Sequence, residues 1–301
     1  MDIPIGGDAP KEIVQAYFYK KGEIRSKKWP VYIAKVGHKH YPIESITEHL
    51  LNKLGNFFGM EMADSELAYI SYSNNKQIRF FSKYFLDQKR EQLIHGADIY
   101  AGYLNDEEII KLIEKQERDI IIVQEAKKAI EHLFPESPEI LKQYIKLLLF
   151  DALIGNNDRH FYNWGCIKSL TNENIRFSPI YDTARGMFWN HSDEDILLWT
   201  NNNALKDQQL IKYINKSMPK IGWDGKKNLN HFDLVGLLFE HEIGLKKVEI
   251  ITFFDDVALY NAIEFINNGP FTTLFIKERS ILIIECLTLR FKKIKEIISV
   301  K

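Results

Sequence analysis

Strand-like runs and helical spacing divide the chain into two unequal parts. Residues 13–19, Ile-Val-Gln-Ala-Tyr-Phe-Tyr, and 31–36, Val-Tyr-Ile-Ala-Lys-Val, are rich in β-branched and aromatic side chains. With the turn sequence Lys20-Lys21-Gly22-Glu23 between them, they predict two strands of a small sheet. Over 43–58 the period changes: Ile46, Leu50, Leu54 and Phe57 fall on one helical stripe, and Gly59 follows as a stop. Residues 66–71 and 77–85 predict two further strands around a Ser73-Asn74-Asn75 turn. From about residue 106 the spacing is mostly helical. Ser137 suits an N-cap, Pro138 suits the first helical position, and the apolar run after them ends at Ile154-Gly155. A short strand is predicted over 176–182. Helices are predicted over 207–217, 231–239, 246–266 and 271–300, broken by Gly222, Gly225, Gly244 and Gly269-Pro270. The expected fold class is α+β with two lobes, a strand-rich N-lobe over 1–85 and a larger, mostly helical C-lobe over 86–301.

Composition narrows the class without naming a chemistry. A chain of 301 residues accommodates one large domain or two lobes, and 45% hydrophobic with 13% aromatic residues is the make-up of a packed protein. A net charge of -1 gives no global electrostatic case for nucleic acid, and the cluster Lys20, Lys21, Arg25, Lys27 and Lys28 reads as a solvated hairpin edge. Cys166 and Cys286 stand in unrelated contexts, so neither a disulfide framework nor a zinc site is expected. No apolar h-region opens the chain and no window approaches a membrane span, so a cytoplasmic location is expected, with export by a non-Sec route left open.

The candidate chemistry lies after the helix that ends at Ile154. Gly155-Asn156-Asn157-Asp158-Arg159-His160-Phe161-Tyr162-Asn163 places a carboxylate and, five residues on, an amide; Ser178-Pro179-Ile180-Tyr181-Asp182 then adds a second carboxylate. Such a set suits phosphoryl transfer. Asp158 would accept the proton of an attacking hydroxyl, while Asn163 and Asp182 supply oxygen ligands to magnesium bridging the phosphates of ATP. The bare spacing is cheap, because Asp151 with Asn156 and Asp256 with Asn261 repeat it. Asp151 lies inside an apolar helical run and Asp256 in another helical pattern, so only Asp158 follows a helix stop and precedes a hairpin ending in Asp. His160 has no second His nearby and reads as a loop-bracing residue.

A nucleotide clamp is expected ahead of this loop. Lys35 lies in a predicted strand, where a lysine is commonly an outward, solvated residue; Glu48, and less well Glu44, on the next helix could meet it and hold its ammonium toward the phosphates. Glu48 as a solvated helix residue is the competing reading. Gly6 and Gly7 could expose amides to phosphate oxygens and Lys11 could touch them, although the segment lacks GxGxxG or P-loop spacing. Ser82, Lys83, Tyr84 and Phe85 end the strand-rich part where adenine would meet backbone groups, or else they form an ordinary core strand. His95-Gly96-Ala97-Asp98 is similar to the His-Gly-Asp of antibiotic phosphotransferases, but the inserted Ala and the missing Asn mark it as a decoy.

Asn156-Asn157-Asp158-Arg159-His160-x-x-Asn163 and Pro179-Ile180-Tyr181-Asp182 resemble the catalytic and metal-binding elements of the HipA-like serine/threonine kinases. The resemblance implies a kinase-like fold related to the phosphoinositide kinases, and ATP- and magnesium-dependent phosphorylation of a protein substrate. It implies Asp158 as catalytic base, with Arg159 and His160 shaping its loop, Asn163 and Asp182 as magnesium ligands, and Lys35 paired with Glu48. A HipB-like antitoxin is a candidate partner, with no direct nucleic-acid or membrane binding expected of this chain. Full-length toxins of the family carry a further N-terminal subdomain, so the chain is expected to match the compact members. Some members phosphorylate a serine in their phosphate loop; no Ser or Thr precedes Ser26 here, so autophosphorylation is expected elsewhere, for example at Thr183 or Ser192. A small-molecule kinase and an inactive nucleotide-binding module remain the other readings.

Overall fold

A computed structural model describes residues 11–18, 25–72, 75–105 and 121–299. The first four strands are β1 (Lys11–Gln15), β2 (Val31–Val36), β3 (Ser65–Tyr72) and β4 (Asn75–Lys83), and they pair antiparallel in the order β1-β2-β4-β3. β1 stops at Gln15, short of the predicted 13–19 run, because Phe18 leaves the strand and packs edge-on against Tyr32 and Phe81 at 5.2 and 5.3 Å between ring centroids. The predicted turn at Lys20-Lys21-Gly22-Glu23 lies outside the described residues. Tyr72 pairs with Asn75 across the second turn, whose Ser73 and Asn74 are also outside them.

Helix α1 (Glu44–Phe57) buries Ile46, Leu50 and Leu54, the stripe its period predicts, and ends where Gly59 takes φ +68°. One side of α1 packs on β3 and β4, the other on helix α9 (Asp256–Asn268), where Phe57 meets Phe265 at 5.5 Å. The helix thereby joins the sheet to the helical part.

A second sheet has three strands. β5 (Glu91–His95), β6 (Gly165–Ser169) and β7 (Ile175–Phe177) are antiparallel in that order. The predicted 176–182 strand is confined to β7, because Pro179 interrupts pairing and only Ile180 forms a further bridge, parallel to Met62. β5 runs directly into α2 (Gly96–Leu104), and α3 (Val123–Leu133) follows the undescribed stretch 106–120.

Helix α4 (Pro138–Ile154) is the core element: Leu147 to Ile154 is buried on every face, each large apolar side chain contributing about 1.5–3 kcal/mol. Pro138 occupies its first turn, but the Ser137 hydroxyl makes no capping bond. The remaining helices are α5 (Asp193–Thr200), α6 (Asn203–Lys216), α7 (His231–His241), α8 (Lys247–Phe253), α9 and α10 (Lys277–Ser299). The predicted 246–266 helix is two helices, because the Asp255 carboxylate caps a new start at the Val257 amide (3.3 Å). The predicted 271–300 helix begins only at Lys277, after a 3-10 turn over Pro270–Thr273. α5 was not predicted; it is short and opens with a capping box between Ser192 and Asp195.

Candidate active site

Gly155, in the left-handed region at φ +69°, stops α4, and a Cβ there would lie 3.2 Å from the Arg290 guanidinium carbon and from the Ser217 hydroxyl. The loop that leaves it is braced from within. Asp151, in the last turn of α4, accepts from Arg159 Nε (2.9 Å) and Nη2 (3.2 Å) and from Asn156 Nδ2 (2.8 Å). Both ionic partners are almost fully buried, so the pair is held by forked, charge-assisted geometry. Arg159 Nη1 then donates to the carbonyls of Asn163 (2.7 Å) and Tyr181 (2.6 Å). One guanidinium nitrogen thus brings the end of the loop beside the residue preceding Asp182. His231 adds a bond from Nε2 to the Asn156 carbonyl at 2.8 Å.

Asp158 sits on this brace with its carboxylate partly open. Its amide donates to Asn156 Oδ1 (3.1 Å), and its carbonyl accepts from the His160 amide (2.8 Å) and from Asn163 Nδ2 (2.8 Å). The Asn163 nitrogen is committed to the loop, which leaves its Oδ1 as the amide's acceptor. His160 accepts from the Tyr162 amide through Nδ1 (3.3 Å), and burial lowers its pKa, so its neutral ring is part of the loop's bracing.

Lys35 Nζ lies 3.0 Å from Glu48 Oε1 and also pairs with Asp182 Oδ1. Burial alone would lower the Lys35 pKa, but the Asp182 and Glu48 charges outweigh it and raise it. Burial would raise Asp182, yet Lys35, with Lys11 and Arg159 behind it, holds that carboxyl far below its usual range. Glu48 has the weaker claim on the shared ammonium; burial pushes its pKa up to about 6, with Asp182 adding repulsion. Lys11 joins the cluster because it is the cross-strand partner of Lys35, and such partners project from the same face of the sheet. Glu44 does not meet Lys35. It accepts from the His38 amide (2.7 Å) and pairs with Arg185 (3.2 Å).

At the end of β4, Ser82 is buried and pairs with Ile33 and Ser65; the amides of Lys83 and Tyr84 donate to the carbonyls of Asp64 and Val31, each at 2.8 Å. The Lys83 side chain points to Asp64 at 3.3 Å, and the Phe85 ring lies 5.8 Å from Tyr181. Gly6 and Gly7 lie outside the described residues. Thr183 is fully buried and donates to Asn52 Oδ1 (2.5 Å), so its hydroxyl does not face solvent in this structure. Ser192 carries the α5 cap, accepting from the Asp195 amide at 3.1 Å.

Three residues of the site escaped sequence reasoning. Asp151 passed as a core helix residue, although a carboxylate inside an apolar run signals a buried partner. Arg185 follows Asp182 closely and carries no motif. His95, set aside as a decoy, opens α2 in a capping box with Asp98, and its Nδ1 lies 3.1 Å from the Tyr181 hydroxyl, which donates to the Tyr162 carbonyl.

A sequence profile of the HipA-like C-terminal domain matches residues 3–235 of the chain. The chain belongs to this HipA-like family. Two solved structures are similar to it. One is the proinflammatory kinase CtkA of Helicobacter pylori, with a TM-score of 0.69 and 18% identity over 90% of each chain. The other is HipA of Shewanella oneidensis MR-1, solved with HipB and its operator DNA, with a TM-score of 0.55 and 12% identity over 98% of this chain and 65% of that one. No curated protein sequence matches the chain. At these identities the two neighbours establish the fold: a small antiparallel sheet and a larger helical part arranged as in HipA-like kinases.

Proposed function

We propose that this HipA-like chain is an ATP- and magnesium-dependent serine/threonine protein kinase. The observation that carries the reading is that Arg159, next to Asp158, ties Asn163 to Tyr181, the residue before Asp182, while Asp182 itself meets the Lys35–Glu48 pair. The part up to Phe85 would clamp the nucleotide and the part from Leu86 would supply the chemistry. With the Lys83 and Tyr84 amides committed, adenine would be met by the backbone from Phe85 onward. Gly6, Gly7 and Lys11 would cover the phosphates.

The residues fit the donor and metal. Asp182 is held ionised, and Asn163 retains an oxygen acceptor, the hard ligands that magnesium takes. Magnesium, when bound, would neutralise charge on the transferring phosphoryl. Lys35 would shift from Asp182 toward the phosphates while Glu48 keeps it in reach. Asp158 would orient the attacking hydroxyl and take its proton. His160 and Arg159 would hold that carboxylate still. The HipB seen with the Shewanella protein makes a HipB-like antitoxin a fitting partner for this chain too.

The test is phosphosite mapping by mass spectrometry after the protein is incubated with ATP, magnesium and a mixture of dephosphorylated proteins. Serine or threonine phosphorylation present with wild type and absent with Asp158→Ala is the expected result. Equal phosphorylation by Asp158→Ala, or a metabolite modified in place of any protein, would overturn the reading.

A further inference from the structure

Arg185 links parts of the molecule that the phosphoryl-transfer residues alone do not connect. Its Nε lies 3.2 Å from Glu44 Oε1 and 3.8 Å from Asp158 Oδ2. The guanidinium stacks on Trp189, its central carbon 3.9 Å from the ring centroid, and Trp189 meets His38 and Tyr41 edge-on at 6.2 and 5.9 Å. The Arg185 carbonyl accepts from the Asn157 amide at 3.3 Å, so its main chain is also stitched to the loop carrying Asp158. Glu44 is the first residue of α1 and is buried, and its second oxygen accepts from the His38 amide. Glu48 lies one turn further along the same helix face and meets Lys35.

These contacts form a chain. From Asp182 it passes through Lys35 and Glu48 into α1, returns through Glu44 to Arg185, and ends on Asp158. The segment that follows Arg185 is fixed. At Gly186 a Cβ would stand 2.8 Å from the Ile154 carbonyl, and Met187 and Phe188 both take left-handed backbone angles, φ 49° and 62°. Such angles in non-glycine residues persist only where surrounding contacts hold them. Here the Arg279 guanidinium donates to the Phe188 and His191 carbonyls at 3.3 and 2.7 Å, and the Phe188 amide donates to the Tyr213 hydroxyl at 3.2 Å.

We infer that Arg185 is a positioning residue of the transfer reaction: it orients the Asp158 carboxylate and, through Glu44, seats α1 so that Glu48 holds Lys35. The inference rests on the kinase reading for its catalytic part, while the mechanical part stands on contacts alone. Arginine is suited to the place because its delocalised cation lies near two carboxylates through Nε while its flat side stacks on an indole; a lysine ammonium offers a point charge only.

Two measurements test it together. In the first, phosphotransfer by wild type, Arg185→Ala, Arg185→Lys, Glu44→Gln and the Arg185→Ala/Glu44→Gln double variant is followed at saturating ATP. Arg185→Ala should lower kcat by about 10²-fold, with Arg185→Lys recovering part of the loss and little change in KM for the protein substrate. The double variant should be no slower than Arg185→Ala, since the two side chains act as one unit. The second is amide hydrogen exchange across residues 37–48, read on wild type and Arg185→Ala without nucleotide. Faster exchange in the variant, with global stability retained, is expected. Unchanged exchange, or losses in Arg185→Ala and Glu44→Gln that multiply in the double variant, would overturn the inference. An absence of transfer by wild type, with the exchange difference present, would overturn the kinase reading and leave the α1 coupling supported.

Discussion

Asp151 reaches the candidate site through Arg159, whose Nε and Nη2 it accepts from. It is the ion-pair partner of Arg159, and both are buried, so removing its charge strands a guanidinium away from water. Breaking a buried pair from one side costs about 3–5 kcal/mol. Asp151→Asn should therefore lower the denaturant midpoint markedly, and the surviving folded protein should transfer phosphate poorly because Asn163 and Tyr181 lose their common donor. A midpoint within error of wild type would contradict this. His49 gives a second prediction at this scale. Its Nδ1 meets the Ser65 hydroxyl at 2.9 Å, and burial, with Lys53 adding repulsion, lowers its pKa from 6.5 to about 4. The unfolded chain takes up the proton as pH falls through 6.5, whereas the folded site refuses it until about 4. The stability is therefore full above pH 6.5 and lost progressively toward pH 4, on the order of 3 kcal/mol in all. Urea denaturation of wild type and His49→Gln between pH 7 and 4 checks the sign: wild type should lose the more stability.

At the scale of elements, the segment from Asp182 to Ser192 is held by others more than by itself. Arg279 on α10 is fully buried, pairs with Asp193 at 2.6 Å and donates to two carbonyls of that segment. Arg279→Ala should expose the segment to limited proteolysis and depress transfer while leaving most helices intact; unchanged cleavage would remove the clamp from the account. How much was legible in the sequence differs from one element to the next for the same reason. The helix with stripe Ile46, Leu50 and Leu54, the stop at Gly155 and the loop spacing of Asp158 and Asn163 are local patterns, and the sequence discloses them. The break at Phe254-Asp255 was missed because the apolar period runs through it and only a side-chain cap reveals it. α5 was missed because a short capped helix carries little period, and β5 because its partner β6 lies far along the chain. Of the site, Lys35, Glu48, Asp158, Asn163 and Asp182 could be nominated by residue type and order. Arg185, Asp151 and His95 act through contacts that spacing does not encode.

Over the whole molecule, the sheet and the helical part meet through α1 and through the ionic cluster of Lys35, Glu48 and Asp182. On the proposed kinase reading, a nucleotide that drew Lys35 away from Asp182 would act on that junction, so its binding should be read far from the phosphates. Among the described residues no helix is long and apolar enough to cross a membrane, and Cys166 and Cys286 are free and buried. Asp182→Asn keeps the shape of the side chain and removes the charge that Lys35 balances; it should abolish turnover while weakening nucleotide binding less, which calorimetry with ATP and magnesium would measure. Wild-type turnover in that variant would contradict the assigned role. The most direct measurement is transfer of the radiolabelled γ-phosphate of ATP, in the presence of magnesium, to the protein itself and to a generic basic protein, with wild type beside Asp158→Ala. Label that appears with wild type and vanishes with Asp158→Ala is the predicted result. Label that persists in Asp158→Ala, or no label from a wild type that binds ATP, would contradict the claim that this loop transfers phosphate to proteins.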